Sequence, residues 1–247
     1  MLDITCLYRK LFCRKGFGVH SPFVFDLITN VIGDTFAYYS YKDISLIRKK
    51  LLNKNKLVFC QGKQITVKKA IQQYGISTKE GEFLFRLTNR YKPRKIVAFG
   101  SSLGLIPLYL SRYDSTVQCV TMESEPDFAK TAQRLLKKET NQSHQIRTGS
   151  YRELASKITE KITSIDCIVF DKNIEISDIE AIFNHFQPYI HAKTFLVLAD
   201  IRSSIEKKRF WKQMCRHPRV TVAVDLYHMG LLFVDPRLHK RVYKSII

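Results

Sequence analysis

The chain has 247 residues, with 41 Lys+Arg against 22 Asp+Glu, a formal net charge of +19. Its 45% hydrophobic content is enough to offset chain entropy, which excludes a fibrous or disordered chain. No run of about 18 apolar residues is present to span a bilayer, and Arg9, Lys10, Arg14 and Lys15 interrupt the N-terminal apolar residues before a signal-peptide core can form.

The first 93 residues read mainly as helices. Ser21 places a capping hydroxyl before Pro22, and Phe23 to Ile32 follow as an apolar helical run that Gly33 can stop. A second amphipathic segment covers Ser40 to Leu52 and ends at Asn53 to Asn55. A short strand-like stretch, Leu57 to Cys60, precedes a turn at Gln61-Gly62. Thr78, Gly81 and Glu82 open a helix reaching Tyr91, with Phe83, Leu84 and Leu87 on its apolar side. A break at Tyr91 to Lys95, centred on Pro93, divides the chain into a helical region, 1–93, and a second domain, 94–247.

From Lys95 strands and helices alternate. Lys95 to Phe99 is a short apolar strand, followed by Gly100 to Gly104 and a helix to about Arg112. Val117 to Met122 is the second strand, and Pro126 to Lys138 the helix after it. Gln145 to Arg147 is a weak third strand, and Ile165 to Phe170 a clear fourth, ending at Asp171. Ser177 is expected to cap a helix to Phe186. Thr194 to Leu198 is the fifth strand, ending at Asp200, and Ser203 to Cys215 the next helix. The final runs, Val220 to Leu226 and Gly230 to Val234, are too close for a parallel crossover. The expected fold is α/β: a Rossmann-like, seven-stranded, mostly parallel sheet ending in an antiparallel hairpin.

None of Cys6, Cys13, Cys60, Cys119, Cys167 and Cys215 forms a C-x-x-C pair, and Cys119 and Cys167 sit in apolar strands. Buried reduced thiols in a cytoplasmic protein are expected. The charge is uneven: residues 1–95 carry +13 and the remainder +6. Such a basic half attracts polyanions, whether nucleic acid, anionic lipid or an acidic small substrate. The plainer alternative is a solvated helix face, as for Arg48, Lys49 and Lys50.

In open α/β sheets, ligands bind beyond the carboxyl ends of the strands. Three features converge there. The turn Gly100, Ser101, Ser102, Leu103, Gly104 lets backbone approach a ligand. Glu123, about 23 positions on and at the end of the second strand, is placed to accept hydrogen bonds from both ribose hydroxyls of an adenosine. Asp171 and Asp200 end the fourth and fifth strands, where each could instead cap the helix that follows.

This order of glycine turn, Glu123, Asp171, Asp200 and terminal hairpin resembles the class I S-adenosylmethionine-dependent methyltransferases over roughly Arg94 to Val234. Val97 to Leu105 (VAFGSSLGL) is similar to the family's first motif, and Val120 to Ser124 (VTMES) to its ribose-binding segment. Asp166 to Asn173 (DCIVFDKN) and Leu198 to Ile201 (LADI) resemble the small-molecule O-methyltransferase branch. Gly16 to Phe25 and Arg219 to Gly230 resemble a bacterial subgroup of the kind seen in Bacteroidetes, which brings no substrate with it.

The resemblance implies S-adenosylmethionine as cofactor, held by the backbone around Gly100, Ser101, Ser102 and Gly104, by Glu123 at the ribose and by Ser150 near the adenine. Asp171 would lie close to the sulfonium and the incoming nucleophile, as first candidate for a general base, with Asp200 second. His20, His228, Tyr151 and Tyr227 are further polar groups that could approach the cleft. The sequence departs from the pattern at Ala98, commonly acidic in the family; at Lys172, usually Gly; at Ile174, usually His; and at Ile201, where metal-dependent members have an Asn ligand. No metal is expected.

The expected partner is a small-molecule acceptor, an acidic one among the candidates, contacted by residues 1–93 as a cap and substrate region and by the terminal hairpin. RNA methylation and a non-catalytic, cofactor-binding interaction role are the alternatives, and the oligomeric state stays open, a homodimer included. A dehydrogenase would show G-x-G-x-x-G and a sixth parallel strand. Base-amino methylation would show a Pro-Pro-aromatic loop where Asp171 to Ile174 stand.

Overall fold

A computed structural model describes Arg9 and residues 18–53, 55–140, 144–160 and 162–247. Cys6, Lys10, Cys13, Arg14, Lys15 and the start of the Gly16 to Phe25 stretch lie outside the described residues. The helical region contains α1 (Pro22–Leu27), which continues into a π-helical turn over Ile28–Ile32, then α2 (Tyr39–Leu52). Ser21 accepts from the Val24 N–H and Pro22 takes the first helical position, as the sequence predicts. A hairpin follows, β1 (Leu57–Cys60) and β2 (Lys63–Thr66), turning at Gln61 and Gly62. Next come α3 (Val67–Tyr74) and α4 (Thr78–Tyr91). A reciprocal capping box between Ser77 and Glu80 starts α4, and Lys92, in the left-handed region before Pro93, ends it.

The remainder is β3 (Lys95–Phe99), α5 (Leu105–Ser111), β4 (Gln118–Glu123), α6 (Pro126–Glu139), β5 (His144–Thr148), α7 (Tyr151–Thr159), β6 (Ile165–Phe170), α8 (Ile176–Phe186), β7 (Ile190–Ala199), α9 (Ile205–Arg216), β8 (Val222–Asp225), β9 (Met229–Phe233) and β10 (Arg241–Lys244). The main sheet has the order β10-β8-β9-β7-β6-β3-β4-β5. Only β9 runs against the other strands. The sheet therefore has eight strands rather than the expected seven. The eighth, β10, adds to the outer edge of the hairpin, parallel to β8. A second correction concerns α8: Glu175, not Ser177, holds the N-cap position, with no side-chain cap.

Successive strand residues point to opposite faces, and each face has its own core. Ile96, Ala98, Cys167, Val169, Phe195 and Val197 join a cluster with α1, α2, α4 and α5. Val97, Phe99, Ile168, Phe170, Leu196 and Leu198 pack against α7, α8 and α9. The helices before residue 93 thus share one core with the sheet. Phe23 meets Phe233 edge-on at 4.9 Å, and Tyr91 lies against Phe195 and Phe233. Lys49 and Lys50 face solvent, as expected of a helix surface, whereas Arg48 is half-buried near Tyr109.

The chain enters the parallel sheet at β3, steps outward through β4 and β5, and returns to β6 on the other side of β3. This reversal opens a crevice between the carboxyl ends of β3 and β6, where such sheets bind ligands.

Candidate functional site

At the end of β3 the chain turns through Gly100 (φ +87°), whose N–H donates to the Met122 carbonyl at 2.8 Å. A Cβ there would stand 2.5 Å from Cβ of Asp171, so any side chain would push the neighbouring loop away. Ser102, Leu103 and Gly104 then follow in the left-handed region, at φ 49°, 55° and +97°. Two non-glycine residues in succession there are costly, and such strain persists where the surroundings over-determine it. Gly104 packs against Ala132 and Leu135 of α6, and Leu103 is fully buried.

Glu123 ends β4 with only 4% of its surface exposed. Its Oε2 accepts from the Ser101 N–H at 2.9 Å and the Ser101 hydroxyl at 2.6 Å. Its Oε1 accepts only the Glu125 N–H, at 3.2 Å, leaving acceptor capacity. Burial raises the Glu123 carboxyl above its ordinary value, although the Ser101 and Glu125 bonds oppose the shift.

Asp171 follows β6, tied by its N–H to the Phe99 carbonyl and accepting the Lys172 N–H on Oδ1 at 2.8 Å. It is 5% exposed, and burial pushes its carboxyl up to about 7; the Lys172 N–H opposes this and the Glu123 charge adds to it. Asp200 stands at φ 56° beyond β7, its Oδ2 accepting from Nζ of Lys207 at 3.0 Å. Lys207 also donates to the Lys172 carbonyl, bracing the two loops together. Asp171 and Asp200 both line a small apolar cavity with Ile174, Ile201 and Trp211.

The structure thus brings Gly100, Ser102, Glu123 and Asp171 around one cleft, completed by Tyr74, Phe128 and Tyr151. Ser101 stands behind it, wholly buried against Glu123. Ser150 is exposed at the start of α7 and does not line the cleft; its neighbour Tyr151 does, accepting from the Ser124 hydroxyl. His20 and His228 are exposed and Tyr227 is half-buried, and all three lie outside the cleft lining. Among the described residues, no group of three or more His, Cys, Asp or Glu could hold a metal ion.

Residues 57–77 border this cleft through Cys60, Gln61 and Tyr74; the sequence pointed to 1–93 as a cap region without singling out this segment. The Phe59 N–H donates to Asp127 and the Gln61 N–H to Glu125, fixing the hairpin over the loop after β4. The Ile76 N–H donates to Ser102 Oγ at 2.6 Å. Lys172 Nζ reaches the Gly75 carbonyl at 3.0 Å, and Asn173 the Tyr74 carbonyl at 3.2 Å. The loops after β3, β4 and β6 are therefore all tied to the same segment. The space left among the lining residues is about 50 Å³.

No protein-family model matches the sequence, and no curated protein matches it. Solved structures do share the fold. An O-methyltransferase from Bacillus cereus in complex with SAH superimposes with a TM-score of 0.57 at 17% identity, over 81% of this chain and 92% of that one. The O-methyltransferase TomG from Streptomyces achromogenes, in complex with SAM, gives 0.59 at 14% identity, over 84% and 96%. A methyltransferase from Geobacter sulfurreducens gives 0.58 at 13% identity, over 83% and 93%. At these identities the likeness is one of fold: a Rossmann-like sheet of the methyltransferase type.

Proposed function

We propose that the chain is an S-adenosylmethionine-dependent methyltransferase acting on an oxygen of a small molecule. The observation that carries this reading is the meeting of the Gly100 turn with the buried Glu123 carboxylate at the carboxyl ends of adjacent strands, beside the switch point. The donor set fits the cofactor: Glu123 Oε1 keeps acceptor capacity for a ribose hydroxyl, and Tyr74, Phe128 and Tyr151 offer ring surface. The fold neighbours that carry SAM or SAH support the same cofactor here. The space does not fit the cofactor as it stands, because a small-molecule site needs roughly 300 Å³ or more. The exposed hairpin turn at Gln61 and Gly62, which borders the cleft, is the part of residues 57–77 that would yield on binding.

When bound, the cofactor supplies an activated methyl group on a sulfonium. The chain supplies alignment and a proton acceptor. Asp171 lines both the cleft and the apolar cavity, so it faces the two compartments where donor and acceptor would sit. A carboxyl held near 7 is partly ionised at neutral pH and matched to taking a hydroxyl proton. Lys207 neutralises Asp200, which fits a positioning role for Asp200 better than a second base. The described cysteines are free and buried, in keeping with a reducing cytoplasm.

Calorimetric titration with S-adenosylmethionine tests the proposal. We expect saturable binding, weakened at least tenfold by Glu123→Gln through loss of a charged acceptor. No binding at high micromolar cofactor overturns the reading. The departures at Ala98, Lys172 and Ile201 support a second reading, a non-catalytic binding role, which would appear as binding without methyl transfer to any hydroxylated acceptor tried.

A further inference from the structure

A second cavity, roomier than the cleft, lies near the carboxyl edge. A groove of about 490 Å³ lies between α9 and β10, within the size range of small-molecule sites. Its floor is apolar, made by the buried Trp211 and Cys215 with Val242 beside them. Its rim is cationic. Lys208, Lys212 and Arg216 recur every fourth residue along α9, so they stand in one row on the helix. Lys244 faces them from β10, on the same side of that strand as Val242.

None of these four cations forms an ion pair among the described residues. The one carboxylate lining the groove, Asp225, is already held by Arg9 and Arg202. Four uncompensated positive charges around an apolar floor are complementary to a ligand that is itself divided. The row from Lys208 to Arg216 spans about 12 Å at the helical rise, the reach of a medium-length alkyl chain. A polynucleotide would satisfy the rim but leave the floor wet, whereas an amphiphile uses both.

We propose that this groove binds an amphipathic anion as a soluble monomer: an apolar body with a phosphate or carboxylate head. β10, the strand beyond the expected seven, supplies the second wall. The site is separate from the cofactor cleft, although Ile201 and Trp211 line both the groove and the apolar cavity beside Asp171.

Trp211 is the chain's one tryptophan, so its emission reports on the groove without labelling. Decyl phosphate, titrated below its aggregation concentration, is expected to give a saturable change in that emission. The double substitution Lys208→Gln, Lys212→Gln should weaken binding at least tenfold, and inorganic phosphate should give no saturable response. Both lysines are exposed, so the fold should survive; Lys244→Gln on the opposite wall gives an independent test. An unchanged affinity in both variants overturns the proposal. So does a response only to phosphatidylglycerol vesicles, which would mark a membrane surface, or only to single-stranded RNA.

Discussion

Asp171 lies buried between the cleft and the apolar cavity beside it. Burial raises its carboxyl from the ordinary 3.8 to about 7, so the folded protein holds a proton that the unfolded chain releases. The sign follows directly. The native state is most favoured, on this account, below the unfolded value near 4, and it loses stability as pH climbs to about 7. Asp171→Asn removes that dependence. The variant should gain on the wild type across this window by roughly 4 kcal/mol at most, and no further above it. Urea melts at pH 4, 5.5 and 8 measure it; a gap constant with pH would show that the carboxyl is ionised throughout. In an active enzyme the same change should cost methyl transfer about 100-fold or more, as expected for loss of a general base. Arg48 and Tyr109 show a different residue-scale cost. Nη1 of Arg48 and the Tyr109 hydroxyl are buried without hydrogen-bond partners among the described residues, and desolvation lowers the guanidinium and raises the phenol to about 12.

At the scale of elements, the decisive piece is the segment 57–77. Its hairpin and the start of the following loop hold the turn after β3, the loop after β4 and the loop after β6 through backbone and side-chain hydrogen bonds. Each such bond contributes only about 1 kcal/mol net, but Val58, Val67, Ala70, Ile71 and Ile76 are buried in the core, so what can yield cheaply is the exposed turn around Gln61 and Gly62 and not the whole segment. Amide exchange should therefore be faster over residues 59–64 than over β3, β6 and β7. Adding S-adenosylmethionine should change exchange in that segment first. Exchange there as slow as in the central strands, and unaltered by cofactor, would mean that the cleft stays shut. Little of this was legible beforehand. The central strands were, because buried parallel strands read as unbroken apolar runs such as Ile96 to Phe99 and Cys167 to Phe170. Asp171 was, because it directly follows such a run, and Glu123 because it ends the second strand about 23 positions after Gly100. β2 (KQIT) and β10 (RVYK) were not: they are short, mostly polar, and defined by partners rather than by their own pattern. Lys207 could not be singled out either, since Lys208 and Arg209 beside it read alike until the fold turns one of them toward Asp200.

Over the whole molecule, a chain with so large a cationic excess must place its few buried charges carefully, and Asp225 is where its ends meet. Arg9, 2% exposed, donates through Nη1 to Asp225 Oδ1 at 2.6 Å, to the Asp225 carbonyl and to the Ser245 carbonyl. Arg202 pairs with the other carboxylate oxygen, the Tyr227 N–H donates at 2.9 Å, and both guanidiniums lie within 5.5 Å of the Tyr227 ring centre. One carboxylate thus joins Arg9, the loop after β7, the hairpin turn and the last strand, β10. Burial pulls its carboxyl upward, but the Arg9 hydrogen bond, the Tyr227 N–H and the two cations outweigh that, leaving it below the ordinary carboxylate value. Breaking a buried pair on one side costs about 3 to 5 kcal/mol. Because Arg202 remains, Arg9→Met should fall near the lower end, about 3 kcal/mol at pH 7. A depressed folded-state value contributes stability above the unfolded value, near 3.8, and loses it as pH falls through the folded one. The gap between wild type and variant should accordingly narrow in acid. Denaturant melts at pH 7 and pH 3 decide the matter: an equal gap at both would assign the loss to packing of the arginine stem instead of its charge.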